Sequence, residues 1–190
     1  ENGGAEKCLI ELICHLDKNK FETYLNFPYT GTATNKIANS KIQYFIAFTD
    51  RWIPSKKSNG LKHAFSFLRN LRARIWSLES KIQTLDIDLV YSNSITCIDG
   101  AIAAYRMGIP HIWHIHENIT GNNSLKSYVP IKYTYKIAQY FCKDFIAVSN
   151  SVTKNLNSSG NNIHIIPNGI DTSKFQIKDI FHNLKSELRI

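Results

Sequence analysis

Apolar residues recur along this chain with two different periods. Short stretches rich in β-branched and aromatic residues, at 21–25, 41–48, 88–92, 111–116, 144–149 and 163–167, predict strands. Between them the apolar spacing lengthens to three and four. In 5–16, Cys8, Leu9, Leu12, Ile13 and Leu16 fall on one helical face. Residues 61–85 continue that spacing as a longer helix, and 98–107, 131–142 and 151–157 as shorter ones. Strand alternating with helix is the pattern of a parallel sheet, so the expected fold is α/β: a Rossmann-like, doubly wound parallel sheet with helices on both faces. The punctuation agrees. Gly108 ends a helix after Met107 and Pro110 launches the next strand. Ser149 and Ser151 are placed to cap the helix after 144–149, and Ser158-Ser159-Gly160 closes it.

Composition narrows the function classes. The 190 residues, 43% hydrophobic, suffice for one substantial folded core. No apolar run approaches a membrane span, and the polar opening ENGGAEK does not read as a signal peptide. The four cysteines, Cys8, Cys14, Cys97 and Cys142, show no CxxC and sit in apolar contexts, which predicts reduced, buried thiols in a cytoplasmic protein. Lys and Arg outnumber Asp and Glu, 23 to 15, for a net charge of +8. That balance favours an anionic partner, whether a phosphorylated ligand or an acidic membrane surface, although a basic chain also simply stays soluble. No recognised nucleic-acid module is present, so nucleic acid is not an expected partner.

Candidate chemistry concentrates where predicted strands end. The run HIWHIHE, 111–117, carries His111, His114 and His116 and could suggest a metal. On a strand, however, His114 and His116 share one face while His111, Trp113, Ile115 and Glu117 share the other. Two histidines fall short of the three or four ligands a zinc site needs, and nothing nearby in sequence supplies the rest. His111, at the strand's start, reads as a surface or packing residue, and His114 as a hydrogen-bonded core residue. His116 lies at the carboxyl end, where open parallel sheets bind ligands. Glu117, Asn118, Asn93, Ser94, Thr49 and Asp50 share that edge and are candidate ligand contacts, with capping or turn roles as the alternative. Gly3-Gly4 before a predicted helix can admit an anion to the helix N-terminus or can be plain turn residues. The polar loop 118–127 is expected to be flexible and able to close over a ligand, or else a plain surface loop. Residues 61–85 interleave Lys62, Arg69, Arg72 and Arg74 with Phe65, Phe67, Leu68, Leu71, Ile75, Trp76 and Leu78. This predicts an apolar stripe packed on the sheet with a solvated basic face, or alternatively a surface that rests on an anionic membrane.

Four segments occur in a telling order: GGAEK at 3–7, GIPHIWHIHE at 108–117, DFIAVSNSV at 144–152 and IHIIPNGIDTSKF at 163–175. Together they resemble the N-terminal, acceptor-binding domain of glycosyltransferase family 4, retaining enzymes of the GT-B fold. The resemblance implies a glycosyltransferase of hexosyltransferase type, moving a sugar from a nucleotide-sugar donor to a hydroxyl of a glycan or lipid-linked acceptor. It implies no metal or other cofactor, and a donor phosphate that helps deprotonate the acceptor. It gives Gly3 and Gly4 to the donor diphosphate and His116 to catalysis, beside the transferred sugar. Asn168, Gly169 and Asp171 become the turn leading into the interdomain linker. The expected organisation is an acceptor domain over 1–175, preceded in the whole protein by one further strand. Residues 176–190 then form the linker and the start of a donor-binding domain. The expected site of action is the cytoplasm, or the inner face of a membrane. The rival readings are a non-catalytic sugar- or anion-binding module or truncated reading frame, a nucleotide-sugar epimerase, and a metal protein built on the histidine run.

Overall fold

The computed structural model describes residues 3–37, 42–57, 60–156, 160–169 and 172. Its elements follow as α1 (Gly4–His15), β1 (Tyr24–Phe27), α2 (Thr32–Ile37), β2 (Gln43–Ile46), α3 (Gly60–Thr84), β3 (Val90–Ser92), α4 (Asp99–Met107), β4 (His111–Ile115), α5 (Ile131–Phe141), β5 (Asp144–Ala147), α6 (Asn150–Thr153) and β6 (Asn162–Ile165). All ladders are parallel. β3, β4, β5 and β6 form one sheet in chain order, and β1 pairs with β2 in a separate two-stranded sheet. The single continuous sheet expected from the pattern is therefore divided into two among the described residues.

Side-chain alternation along β4 decides the layers. His111, Trp113 and Ile115 face the main core with Phe67 of α3, Ile98 just before α4, Ala101 of α4, Tyr135 and Ala138 of α5, and Phe145 and Ala147 of β5. Burying such side chains contributes about 1.5–3 kcal/mol each. Trp113 is fully enclosed and donates its indole N–H to the Ser94 carbonyl at 2.7 Å. The opposite face of β4, with His114, looks toward α1, whose Ile13 packs with Leu25 and Ile37 in a cluster of its own. Helices thus cover both faces in the Rossmann-like manner. α4 approaches β3 closely because its second residue is glycine: a Cβ on Gly100 would meet the Ser92 Oγ at 2.9 Å.

Several boundaries differ from the pattern for local reasons. β1 starts at Tyr24, not residue 21, because Lys20 and Phe21 donate to the Asp17 carbonyl and prolong the turn after α1. β2 is limited to the residues that β1 pairs. α2 escaped the periodicity; one turn and a half is too short to show it, and Gly31 with Thr34 supplies its start through an exchange of hydrogen bonds at 2.9 and 2.8 Å. α6 is a single turn, and Ser149 at its N-cap bonds to the Ser151 hydroxyl instead of capping. Gly108 ends α4 as expected, with φ 69° and its N–H directed to the Ala104 and Tyr105 carbonyls. The cysteines are all free; Cys142 is buried, but Cys14 is exposed because it falls on the outer face of α1.

The predicted solvated basic face of α3 is only partly right. Phe67, Arg74, Ile75, Leu78 and Ile82 form the buried stripe, so Arg74 lies inside. Arg69 and Arg72 are exposed, beside outward-facing Leu61, Phe65, Leu68 and Trp76. Among the described residues no helix is long and apolar enough to cross a membrane.

Candidate functional site

Because β3 and β4 are parallel with Ser92 opposite Trp113, Asn93 and His116 leave the sheet at the same carboxyl edge. The Asn93 side chain joins two elements there. Its Nδ2 donates to the Ala5 carbonyl at 2.9 Å, in the first turn of α1, and its Oδ1 lies 2.9 Å from His116 Nε2. A carbonyl can only accept, so the amide nitrogen faces Ala5 and the oxygen faces His116. His116 therefore carries its proton on Nε2 and keeps Nδ1 as the lone-pair nitrogen. Burial lowers the His116 pKa, against the charge of Glu117, so the ring is neutral near pH 7.

Gly3 stands at the N-cap of α1 with φ −63° and ψ 153°, and no side chain caps the helix. A Cβ on Gly3 or Gly4 would meet nothing within 4 Å. The protein's own packing does not require either glycine, and the space before the helix N-terminus, with its partial positive charge, is open. Gly3, Gly4, Asn93 and His116 are thus drawn together through one asparagine.

The other candidates are engaged locally. Glu117 accepts from the Ser94 hydroxyl at 2.7 Å, and the Ser94 hydroxyl also accepts from the Thr96 N–H at 3.1 Å, so both shape the loop after β3. Asn118 accepts from the Thr120 N–H at 3.1 Å in a side-chain-closed turn. The loop 118–127 is not the free segment its composition suggests. An antiparallel bridge between Ser55 and Leu125, with Lys126 N–H to Pro54 O and Lys56 N–H to Ser124 O both at 2.9 Å, ties it to the stretch after β2. Asp50 accepts from the Arg51 N–H at 2.8 Å and from His63 Nε2 at 3.2 Å. Asn168 and Gly169 follow β6, and Gly169 does not take a positive φ. Asp171 lies outside the described residues.

The three histidines separate as the alternation predicts. His111 is a buried packing residue with Nε2 2.9 Å from the Ser92 hydroxyl, and burial lowers its pKa to about 4; the surface reading of it is wrong because β4 turns it toward the core. His114 bonds the Tyr91 hydroxyl through Nδ1, and its other ring nitrogen has no partner. Burial, then the neighbouring His116, lowers its pKa to about 4. It lines a cavity of about 390 Å³ with Asn93, Cys8, Leu12, Pro167 and Asn168. A depression of about 440 Å³ between α3 and α4, lined by Trp76, Glu79 and Arg106, lies apart from these groups. Among the described residues no three His, Cys, Asp or Glu side chains converge on one point that could hold a metal.

Two polar groupings have no counterpart in the sequence reading. Arg74 grips Asp99 through Nε at 2.7 Å and a second nitrogen at 3.3 Å, donates to the Phe67 carbonyl at 3.1 Å, and lies over the Phe67 ring. Asp99 also accepts the Asp50 N–H at 3.1 Å. Burial pushes the Asp99 carboxyl up, while Arg74 and that N–H hold it down. The signal for Arg74 was present: it falls on the stripe of Phe67, Leu71, Ile75 and Leu78, where a charge needs a partner. His63 bonds Asp50 and, through Nδ1, the Tyr128 hydroxyl. Those three are far apart in sequence, and no local spacing announces them.

The profile of Glycosyltransferase Family 4 matches residues 2–174. The chain belongs to glycosyltransferase family 4. No curated protein matches its sequence. Among solved structures, this family 4 chain is similar to Anabaena HepE in complex with UDP and glucose, with TM-score 0.63 and 18% identity over 99% of this chain and 47% of that one. It is also similar to MurG of Acinetobacter baumannii, with TM-score 0.56 and 12% identity over 93% of this chain and 47% of that one. At such identities the likeness is one of fold: a GT-B, Rossmann-like unit. The family 4 chain spans about half the length of each of these structures.

Proposed function

We propose that this chain is the N-terminal, acceptor-holding domain of a retaining, hexosyltransferase-type enzyme. The whole protein transfers a sugar from a nucleotide-sugar donor to a hydroxyl of a glycan or lipid-linked acceptor. Residues 1–175 form that domain, and 176–190, outside the described residues, lead into a donor-binding domain. The observation that carries the reading is the Asn93 link between the glycine-opened N-terminus of α1 and His116. It places an anion-attracting backbone beside a neutral imidazole at one sheet edge. The N-terminus of α1 receives the donor diphosphate at Gly3 and Gly4. His116 hydrogen-bonds the transferred sugar and steadies charge that develops on it. Glu117, Asn118, Asn93, Ser94 and Asp50 border the acceptor, and Asn168, Gly169 and Asp171 lead to the linker. No metal takes part; the donor phosphate assists acceptor deprotonation. The UDP and glucose in the HepE structure support a nucleotide-sugar donor.

The outward side of α3 supports peripheral attachment to an anionic membrane on the cytoplasmic face, since Leu61 and Trp76 are 87% and 72% exposed beside Arg69 and Arg72. A donor and acceptor screen on the full-length protein tests the assignment, with Gly4→Trp and His116→Ala as probes. Transfer that His116→Ala leaves untouched refutes the role of His116. Transfer by the 190-residue chain alone refutes the need for a second domain.

A further inference from the structure

Asp50, His63 and Tyr128 come from three separate parts of the fold and form one hydrogen-bonded chain at the carboxyl edge. Asp50 follows β2, His63 lies in the first turn of α3, and Tyr128 lies between β4 and α5. Asp50 Oδ1 is 3.2 Å from His63 Nε2, and His63 Nδ1 meets the Tyr128 hydroxyl, with the two rings stacked at 5.9 Å. For a neutral imidazole the directions of these bonds follow from what each atom can donate. A carboxylate only accepts, so Nε2 must donate. In a neutral imidazole Nδ1 then accepts, and the Tyr128 O–H must donate to it. The phenol oxygen is left with lone pairs alone to offer to anything outside. Burial, then the charge of Asp50, raises the Tyr128 pKa, so the phenol keeps its proton.

Each member is held in place. Asp50 is pinned through its own N–H to Asp99, which Arg74 grips inside the core. Tyr128 follows the segment bridged to Ser55, and its neighbour Ser127 bonds Thr134 at 2.8 Å. The chain is nevertheless reachable, because the side chains of His63 and Asp50 are 23% and 24% exposed. It also continues the edge that holds His116: Trp52 N–H donates to Thr96 O at 3.1 Å, and Ser94 beside it bonds Glu117.

We infer that Asp50, His63 and Tyr128 form a recognition site for a hydroxyl group of the acceptor sugar, in which the Tyr128 oxygen is presented as a fixed hydrogen-bond acceptor. His63 and Asp50 are positioning residues; Tyr128 touches the ligand. A ring hydroxyl of the acceptor donates to the Tyr128 oxygen. This inference rests on the glycosyl-transfer reading above.

The test uses the full-length protein, a panel of nucleotide-sugars, and the lipid and glycan extract of the source cells as acceptor. Tyr128→Phe removes the oxygen and keeps the ring; the apparent acceptor KM is expected to rise about tenfold while donor KM stays put. His63→Phe is the second probe. Its ring keeps the contact with Tyr128 but offers no lone pair, so the phenol proton is free to turn outward. Acceptor KM rises here too while donor KM and the unfolding midpoint stay put, which a merely structural role would not produce. If the wild-type protein transfers sugar and both variants, folded by circular dichroism, keep the wild-type acceptor KM, this inference alone is overturned. If the wild-type protein transfers no sugar from any donor, the glycosyl-transfer reading fails, and this inference with it.

Discussion

Two polar networks lie a few residues apart along the chain and differ in kind. The Arg74–Asp99 network is closed: the guanidinium has the carboxylate, the Phe67 carbonyl and an aromatic face, and the carboxylate has Arg74 and a backbone N–H. The Asn93–His116 network is open. His116 Nδ1 and the first turn of α1 carry no side-chain partner, and His114 beside them keeps a buried ring nitrogen with none. The closed network can only hold the fold together. The open one sits in a rigid frame with unused donors and acceptors, which is the arrangement a ligand completes.

The largest expected effect is on the closed side. Arg74→Leu leaves Asp99 buried and unpaired and is expected to cost about 3–5 kcal/mol, read as a lowered urea midpoint. A loss below about 1 kcal/mol would mean that water reaches the pair. Next comes His111, on the buried face of β4, the strand that His116 follows. With a folded pKa of about 4, it is neutral in both states above pH 6.5. As pH falls, the unfolded chain takes up the proton first, so stability drops by up to about 3 kcal/mol between pH 6.5 and pH 4. Denaturation at several pH values should show that slope; His114, lowered to about 4 as well, adds to it, so His111→Asn should reduce the slope without removing it.

His116→Ala should act on the open side in the opposite sense. In the full-length protein, on the proposed reading, it is expected to lower kcat/KM for sugar transfer about 100-fold, with the urea midpoint almost unchanged. A large stability loss with normal turnover would reverse the distinction between the two networks. The smallest effect separates two uses of one residue. Glu117→Gln keeps the acceptor for the Ser94 hydroxyl, so stability should change by less than about 1 kcal/mol. A concurrent rise in acceptor KM would assign Glu117 to the substrate as well as to the loop.

The existence and order of the six strands could be read in the sequence because each carries β-branched or aromatic residues between turn signals. The long helix and the glycine stop at Gly108 were equally legible. The alternation along HIWHIHE separated His111 from His114 and His116 correctly, since a strand leaves no other geometry. What stayed hidden depends on contacts between distant segments. The division into two sheets is set by which strands reach one another, and α2 is too short to show a period. Asn93 stood out only as a strand-end polar residue; its bonds to Ala5 and His116 join residues 88 and 23 positions away. The tether on the 118–127 loop comes from Ser55 and Pro54, which nothing in the loop's own composition reveals.

The strand order has a consequence for how the polypeptide reaches this state. In the larger sheet every strand lies beside its predecessor in the chain, with Val90 beside His111, Ile112 beside Asp144, and Asp144 beside Asn162. Each ladder therefore closes over a single crossover. A nascent chain leaving the ribosome meets its partner strand already in place, and no strand of this sheet waits for a distant one to be synthesised. The edge that carries Asn93 and His116 is assembled in the first of these steps, when β4 docks on β3.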